Sequence, residues 1–136
     1  MKRRPPIGLS GEMRFVVTPE HAIDFTSGGM PAVFSTPKMI GLLERTARES
    51  LAPYLENSER SVGVEIDIKH SAPTPVGAVV TLSTRVISSE GSFVCFSLEA
   101  RDSREVLSKG VHKRAVIDVN SFARRVERKK RELEDQ

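Results

Sequence analysis

Met13, Phe15 and Val17 alternate with Glu12, Arg14 and Val16, and this period of two predicts a short half-buried strand. Thr18-Pro19-Glu20 has the form of an N-cap followed by proline at the first helical position, so a brief helical turn through Ile23 is expected. Thr26-Ser27-Gly28-Gly29-Met30-Pro31 then reads as a flexible linker and a candidate lid or access loop. At Ser35-Thr36-Pro37 the period changes: either hydroxyl can cap a helix, and Pro37 stands where a missing N–H costs nothing. Met39, Ile40, Leu43, Ala47 and Leu51 share one side of that helix, with Gly41, Arg45, Arg48 and Glu49 on the other. Pro53 requires the helix to end by Ala52.

Beyond the helix the period of two returns. Val62, Val64, Ile66 and Ile68 alternate with Gly63, Glu65, Asp67 and Lys69. The same parity carries His70 inward. Ser71-Ala72-Pro73-Thr74-Pro75 breaks the strand, and Val80, Leu82, Thr84 and Val86 resume it after Gly77. A turn at Ser88-Ser89-Glu90-Gly91 leads to Val94, Phe96, Leu98 and Ala100. A turn at Asp102-Ser103-Arg104 leads to a last strand with Leu107, Val111, Ala115 and Ile117 inward. The order is strand, long helix, then a meander of four strands. It predicts an α+β domain compatible with an antiparallel sheet wrapped around a central helix. Phe122, Val126 and Leu133 in a charged closing segment predict a terminal helix, docked or partly frayed.

The chain of 136 residues suits one domain. With 5% aromatic residues and no Trp, the core must be mainly aliphatic. Of the net charge of +3, Lys2, Arg3 and Arg4 supply a basic start, and a closing segment from Asn120 carries six basic and four acidic residues. The body between is slightly acidic, so the basic balance describes the tails and does not call for a nucleic-acid partner. This divides the chain into a flexible basic N-terminus (1–12), one domain (13–119) and a charged C-terminal helix (120–136). No apolar run reaches signal-peptide or transmembrane length, so no membrane partner is expected. The single Cys95 forbids an internal disulfide and suits a reducing cytoplasm.

There is no glycine-rich phosphate loop, no G-x-S-x-G elbow and no histidine pair at metal spacing, so neither a metal site nor a cofactor is expected. Three polar residues on or beside apolar faces remain. Glu44 stands at the edge of the helix's apolar face, where a carboxylate must be paired or reach the solvated rim. His70 points inward at a strand end, as a satisfied core residue or a catalyst. Thr36 serves as a helix cap or as a hydroxyl for chemistry. Together, carboxylate, imidazole and hydroxyl are the parts of an acyl-transfer site.

The stretches Ser35-Thr36-Pro37-Lys38-Met39-Ile40-Gly41-Leu42-Leu43-Glu44, Ser61-Val62-Gly63-Val64-Glu65-Ile66-Asp67-Ile68-Lys69-His70, Pro73-Thr74-Pro75-Val76-Gly77 and Gly110-Val111-His112-Lys113-Arg114 resemble the hotdog-fold thioesterases of the fluoroacetyl-CoA thioesterase type. The resemblance runs from about Gly28 to Asp118 and includes the spacing from Thr36 to Glu44 to His70. It implies a hotdog fold, hydrolysis of an acyl-CoA substrate by Thr36, Glu44 and His70, and a second copy of the chain as partner, in a homodimer or a tetramer. It also places Gly63 in the acyl site, where a missing side chain would let the thioester carbonyl approach backbone N–H groups. The plain alternative for Gly63 is a bulge. Fluoroacetyl-specific relatives carry an aromatic lid just before the segment matching Thr36. Residues 26–31 here contain no aromatic, which argues for a broader acyl-CoA substrate. A non-catalytic acyl-CoA-binding module on the same fold is the alternative function.

Thr36 and Glu44 are eight residues apart, about 12 Å along a helix axis. Either His70 links them or an interface brings residues of two subunits together, and the interface is the preferred expectation. Glu44 can serve as base or as nucleophile. His112, opposite in parity to Val111, is expected at the surface or in support of the site. Arg114 on the same face is a candidate contact for CoA phosphates, against a solvated strand face. Cys95 and His21 are expected to be structural.

Overall fold

A computed structural model describes residues 1–136. Five strands, β1 (Ser10–Val16), β2 (Glu59–His70), β3 (Val79–Glu90), β4 (Phe93–Arg101) and β5 (Val106–Asp118), form one antiparallel sheet in the order β1-β3-β4-β5-β2. Helix α1 (Thr36–Leu51) lies against the sheet and contacts β1, β2, β3 and β4. Met39, Leu43, Ala47 and Leu51 are fully buried, against Val80, Leu82, Val86, Val94, Phe96 and Ala100 of the sheet. Each large aliphatic residue buried this way stabilises the fold by roughly 1.5–3 kcal/mol. The helix ends at Leu51 and tightens into a 3₁₀ turn at Ala52–Tyr54, as Pro53 requires.

The expected four-strand meander holds only for β3, β4 and β5. β2 pairs with β5 at the far edge and not with β3, because residues 71–78, with Pro73 and Pro75, are too long and too poor in N–H donors for a hairpin. This crossover is tied down near the start of α1. Phe34 N–H donates to the Thr74 carbonyl, Ser35 N–H donates to the His21 carbonyl, and the buried Thr74 hydroxyl donates to Asp102. The same ties fix residues 33–36.

Two bulges change which side chains face the helix. On β2 the ladder with β5 shifts between Gly63 and Glu65, leaving Val64 as the extra residue. Val62 and Val64 therefore leave the inward set and Val64 is 50% exposed, while Ile66, Ile68 and His70 keep their expected inward parity. On β5 the ladder with β4 shifts at Leu107. Beyond it Ser108, His112 and Arg114 turn inward, and Val111, expected in the core, is 47% exposed.

The ends also differ from expectation. β1 begins at Ser10, and the basic N-terminal segment is docked. The Met1 amino group lies 2.8 Å from Glu59, Lys2 N–H donates to the Tyr54 carbonyl, and the Arg3 guanidinium sits 4.7 Å from the Tyr54 ring centre. Helix α2 (Val119–Glu134) is well formed, with the Asp118 carboxylate accepting from Ser121 N–H. None of its residues is buried, so Phe122, Val126 and Leu133 remain exposed and the helix is not docked on its own chain. No helix is long and apolar enough to cross a membrane.

Candidate active site

Thr36 is the first residue of α1 but not its cap. Ser35 takes that role, its hydroxyl accepting from Lys38 N–H at 3.3 Å, which leaves the Thr36 hydroxyl free. It lies 2.7 Å from Nδ1 of His70, the last residue of β2. The crossover ties beside both residues hold the pair together.

Glu44 lies two turns further along α1 with its side chain 37% exposed, at the rim of the apolar face as expected. Its Oε2 is 3.8 Å from Arg114 Nη1. A Cβ on Gly63 would fall 2.6 Å from that oxygen, 3.4 Å from His112 Cε1 and 3.6 Å from Arg114 Nη1. The carboxylate thus occupies the space a side chain at 63 would need. Glu44, Gly63, Val64, Glu65, Ile66 and His112 line a depression of about 220 Å³. A larger, shallow polar groove of about 570 Å³ crosses the other face of the sheet at Glu12, Arg85, Glu99 and Lys109, where no imidazole or hydroxyl–imidazole pair is available for chemistry.

The face of β5 carrying His112 and Arg114 is buried. His112 is 2% and Arg114 4% exposed, so Arg114 meets neither of its expectations: it lies behind Glu44, not on a solvated face or one open to CoA phosphates. Its Nε donates to Ser61 Oγ and its Nη2 to the Ser61 carbonyl, both at 2.8 Å. His112 Nδ1 is 2.8 Å from the Glu65 carbonyl, and its Nε2 is 3.2 Å from Arg114 Nη1. A carbonyl accepts only from Nδ1–H, so Nε2 carries the lone pair and accepts from the guanidinium. Burial, seconded by the Arg114 charge, holds the His112 imidazole below its ordinary pKa, and it stands neutral. Burial likewise draws the Arg114 guanidinium down, with Glu44 opposing. A neutral imidazole beside a paired guanidinium orients the cation without adding charge against it.

Within one chain, then, two clusters form: Thr36 with His70, and Glu44 with Gly63, Arg114 and His112. Glu44 contacts neither Thr36 nor His70. Gly63 and His70 are roughly 20 Å apart along β2, so His70 does not bridge the helix positions. Parity counting missed the burial of His112 and Ser61. No local pattern signals it, because the facing of Gly63 and Arg114 depends on the pairing of β2 with β5. No group of acidic, His or Cys residues is arranged to hold a metal ion.

A five-stranded antiparallel sheet wrapped around one long helix is the hotdog fold of the thioesterase superfamily. A hot-dog-like protein from Thermanaerovibrio acidaminovorans superposes with a TM-score of 0.85 at 26% identity, covering 91% of this chain and 92% of that one. The sequence model of the fluoroacetyl-CoA-specific thioesterases matches residues 17–120, and the chain belongs to that family. The fluoroacetyl-CoA thioesterase of Streptantibioticus cattleyicolor is 38% identical over 99 residues, 73% of this chain and 71% of the relative. A mutant of the fluoroacetyl-CoA-specific thioesterase, solved with fluoroacetate and CoA, superposes with a TM-score of 0.79 at 32% identity, covering 87% of this chain and 99% of that one. The protein is an acyl-CoA thioester hydrolase.

Proposed function

We propose that Thr36, Glu44 and His70 carry the hydrolysis at a site completed by two subunits. The observation that carries this reading is the pairing of the Thr36 hydroxyl with His70 at 2.7 Å, seven residues along β2 from Gly63 and the Glu44 carboxylate beside it. β2 is an edge strand of twelve residues, and a long unpaired edge is a template for another strand. Antiparallel pairing of two copies of β2 about a two-fold axis near Ile66 and Asp67 sets His70 of one subunit beside Gly63 of the other. Thr36 and His70 of one subunit then face Glu44 of its partner across one acyl group.

In that site the thioester carbonyl approaches the backbone N–H groups freed by the bulge beside Gly63. Arg114 keeps the Glu44 carboxylate in place. Glu44 attacks the carbonyl itself or draws the proton from an attacking water. The C–S bond breaks and CoA leaves as a thiolate that takes up a proton; the acid is released directly when water was the attacking group, or after a water hydrolyses the acyl-Glu44 anhydride when Glu44 was. The absence of an aromatic from residues 26–31 supports a substrate range wider than fluoroacetyl-CoA. The CoA complex of the relative supports recognition of the CoA portion here.

Mixing two inactive variants tests the shared site. Glu44→Ala and His70→Ala should each abolish thiol release from an acyl-CoA. Unfolding and refolding them together should restore about a quarter of the wild-type rate, because half the dimers are mixed and each mixed dimer holds one intact site. No recovery in verified mixed dimers would place the whole site within one chain. A panel from acetyl-CoA to long-chain and aryl esters tests the range: turnover of fluoroacetyl-CoA alone would overturn the wider substrate class.

A further inference from the structure

Three buried side-chain polar atoms lack a hydrogen-bond partner: His70 Nε2, Thr84 Oγ1 and Ser108 Oγ. Thr84 stands apart, on β3 beside Gly11. The other two residues are direct register partners across the β2–β5 ladder. Opposed residues of an antiparallel pair share a face, with Cβ atoms about 4.5–5.5 Å apart. Ser108 is 0% exposed and follows the Leu107 bulge, which turns its hydroxyl toward the helix side of the sheet. The opposite ring nitrogen of His70, Nδ1, is engaged by Thr36. No carboxylate of the chain is hydrogen bonded to the ring, so the carboxylate that commonly orients a catalytic histidine is missing.

We propose that Ser108 is the positioning residue of His70. Its hydroxyl accepts the Nε2–H, directly after a turn about the serine χ1 or through one bridging water. With the proton fixed on Nε2, the Nδ1 lone pair is aimed at the Thr36 hydroxyl and accepts its hydrogen. Leaving a buried N–H and a buried hydroxyl both unpaired is costly, and one contact satisfies both. The proposal deepens the catalytic reading of Thr36 and His70 and rests on it.

The test is ¹⁵N NMR of the chain labelled at its three histidines, His21, His70 and His112, with His70→Gln assigning the His70 signals. In the wild type, neutral His70 should show Nε2 protonated and Nδ1 bare. Ser108→Ala should give a mixture of the two tautomers and lower kcat about three- to tenfold, the loss of one neutral hydrogen bond, with KM within about twofold. Unmoved His21 and His112 signals report an intact fold, and Ser108→Gly removes the hydroxyl by a second route if the alanine variant does not fold. Ser108→Thr, which keeps the hydroxyl, should return the wild-type tautomer. A wild-type His70 protonated on Nδ1, or a folded Ser108→Ala with unchanged His70 signals and kcat, overturns the proposal. Full activity in His70→Gln overturns instead the catalytic reading beneath it, and the tautomer measurement keeps the two failures apart.

Discussion

A Cβ at position 63 would stand 2.6 Å from Glu44 Oε2, so the glycine is what allows the carboxylate to rest against the β2 bulge. Its neighbours cannot yield easily, since His112 and Arg114 are buried and bonded to the sheet. Gly63→Ala should therefore move Glu44 outward while the fold survives. A displacement of about 1 Å at a catalytic group costs on the order of 100-fold, and kcat/KM for thiol release should fall by that order with an unchanged circular dichroism spectrum. Wild-type turnover by a folded Gly63→Ala protein would show that Glu44 is not needed where it stands.

Ser35 and Thr36 are adjacent hydroxyls with separable tasks. Ser35 accepts from Lys38 N–H and caps α1, and Thr36 engages His70. Ser35→Ala should cost up to about 1 kcal/mol of stability, the bond being long, with little change in kcat. Thr36→Ala should leave the melting temperature nearly unchanged and lower kcat by about 10²–10⁴. Paired thermal melts and thiol-release assays decide, and matching effects of the two substitutions would reduce Thr36 to a structural role.

Much of this was legible from the period of polar and apolar residues, for a physical reason: α1 and the inner sheet face bury one side each, so burial leaves a readable period. Met39, Leu43, Ala47 and Leu51 were found that way, as was the inward turn of His70. The misreadings of strand faces have one cause. A bulge adds a residue without altering composition, and at Val64 and Leu107 it exchanged the two faces of a strand. The count for His70 came out right because Ile66, Ile68 and His70 lie on one side of the first bulge. The count for His112 and Arg114 came out reversed because they lie beyond the second. The pairing of β2 with β5 depends on contacts distant in sequence and left no local pattern.

Glu44 can act on the thioester in two ways, which isotope transfer separates. One turnover in H₂¹⁸O with enzyme in excess places ¹⁸O in the acid product when Glu44 activates water. It places ¹⁸O in the Glu44 side chain, and none in the acid, when the carboxylate attacks and water then opens the acyl-enzyme anhydride at the Glu44 carboxyl carbon. Mass spectrometry of the acid product and of the Glu44 peptide reads both. In either case Glu44→Gln, nearly isosteric, should lower kcat by at least about 10², and a Gln variant within tenfold of wild type would remove Glu44 from the chemistry.

His112 ties stability to pH in a direction fixed by its burial. Desolvation holds its imidazole below the ordinary value near 6.5, against the Glu65 carbonyl, which favours the protonated ring. In the unfolded chain the same ring takes its proton at about pH 6.5. Between that pH and the lower folded value the unfolded state binds more protons, so stability rises with pH across the window. Its contribution is complete above about pH 7.5 and is lost as the pH falls through the folded value. The carboxylates of Asp102 and Glu59, held low by backbone N–H donors and by the Met1 amino group respectively, act in a more acidic range and leave this window clear. Thermal melts between pH 7.5 and 5 should show the wild type losing more melting temperature than His112→Gln, whose amide cannot titrate. Parallel curves for the two proteins would mean that His112 takes up its proton as readily in the fold as outside it.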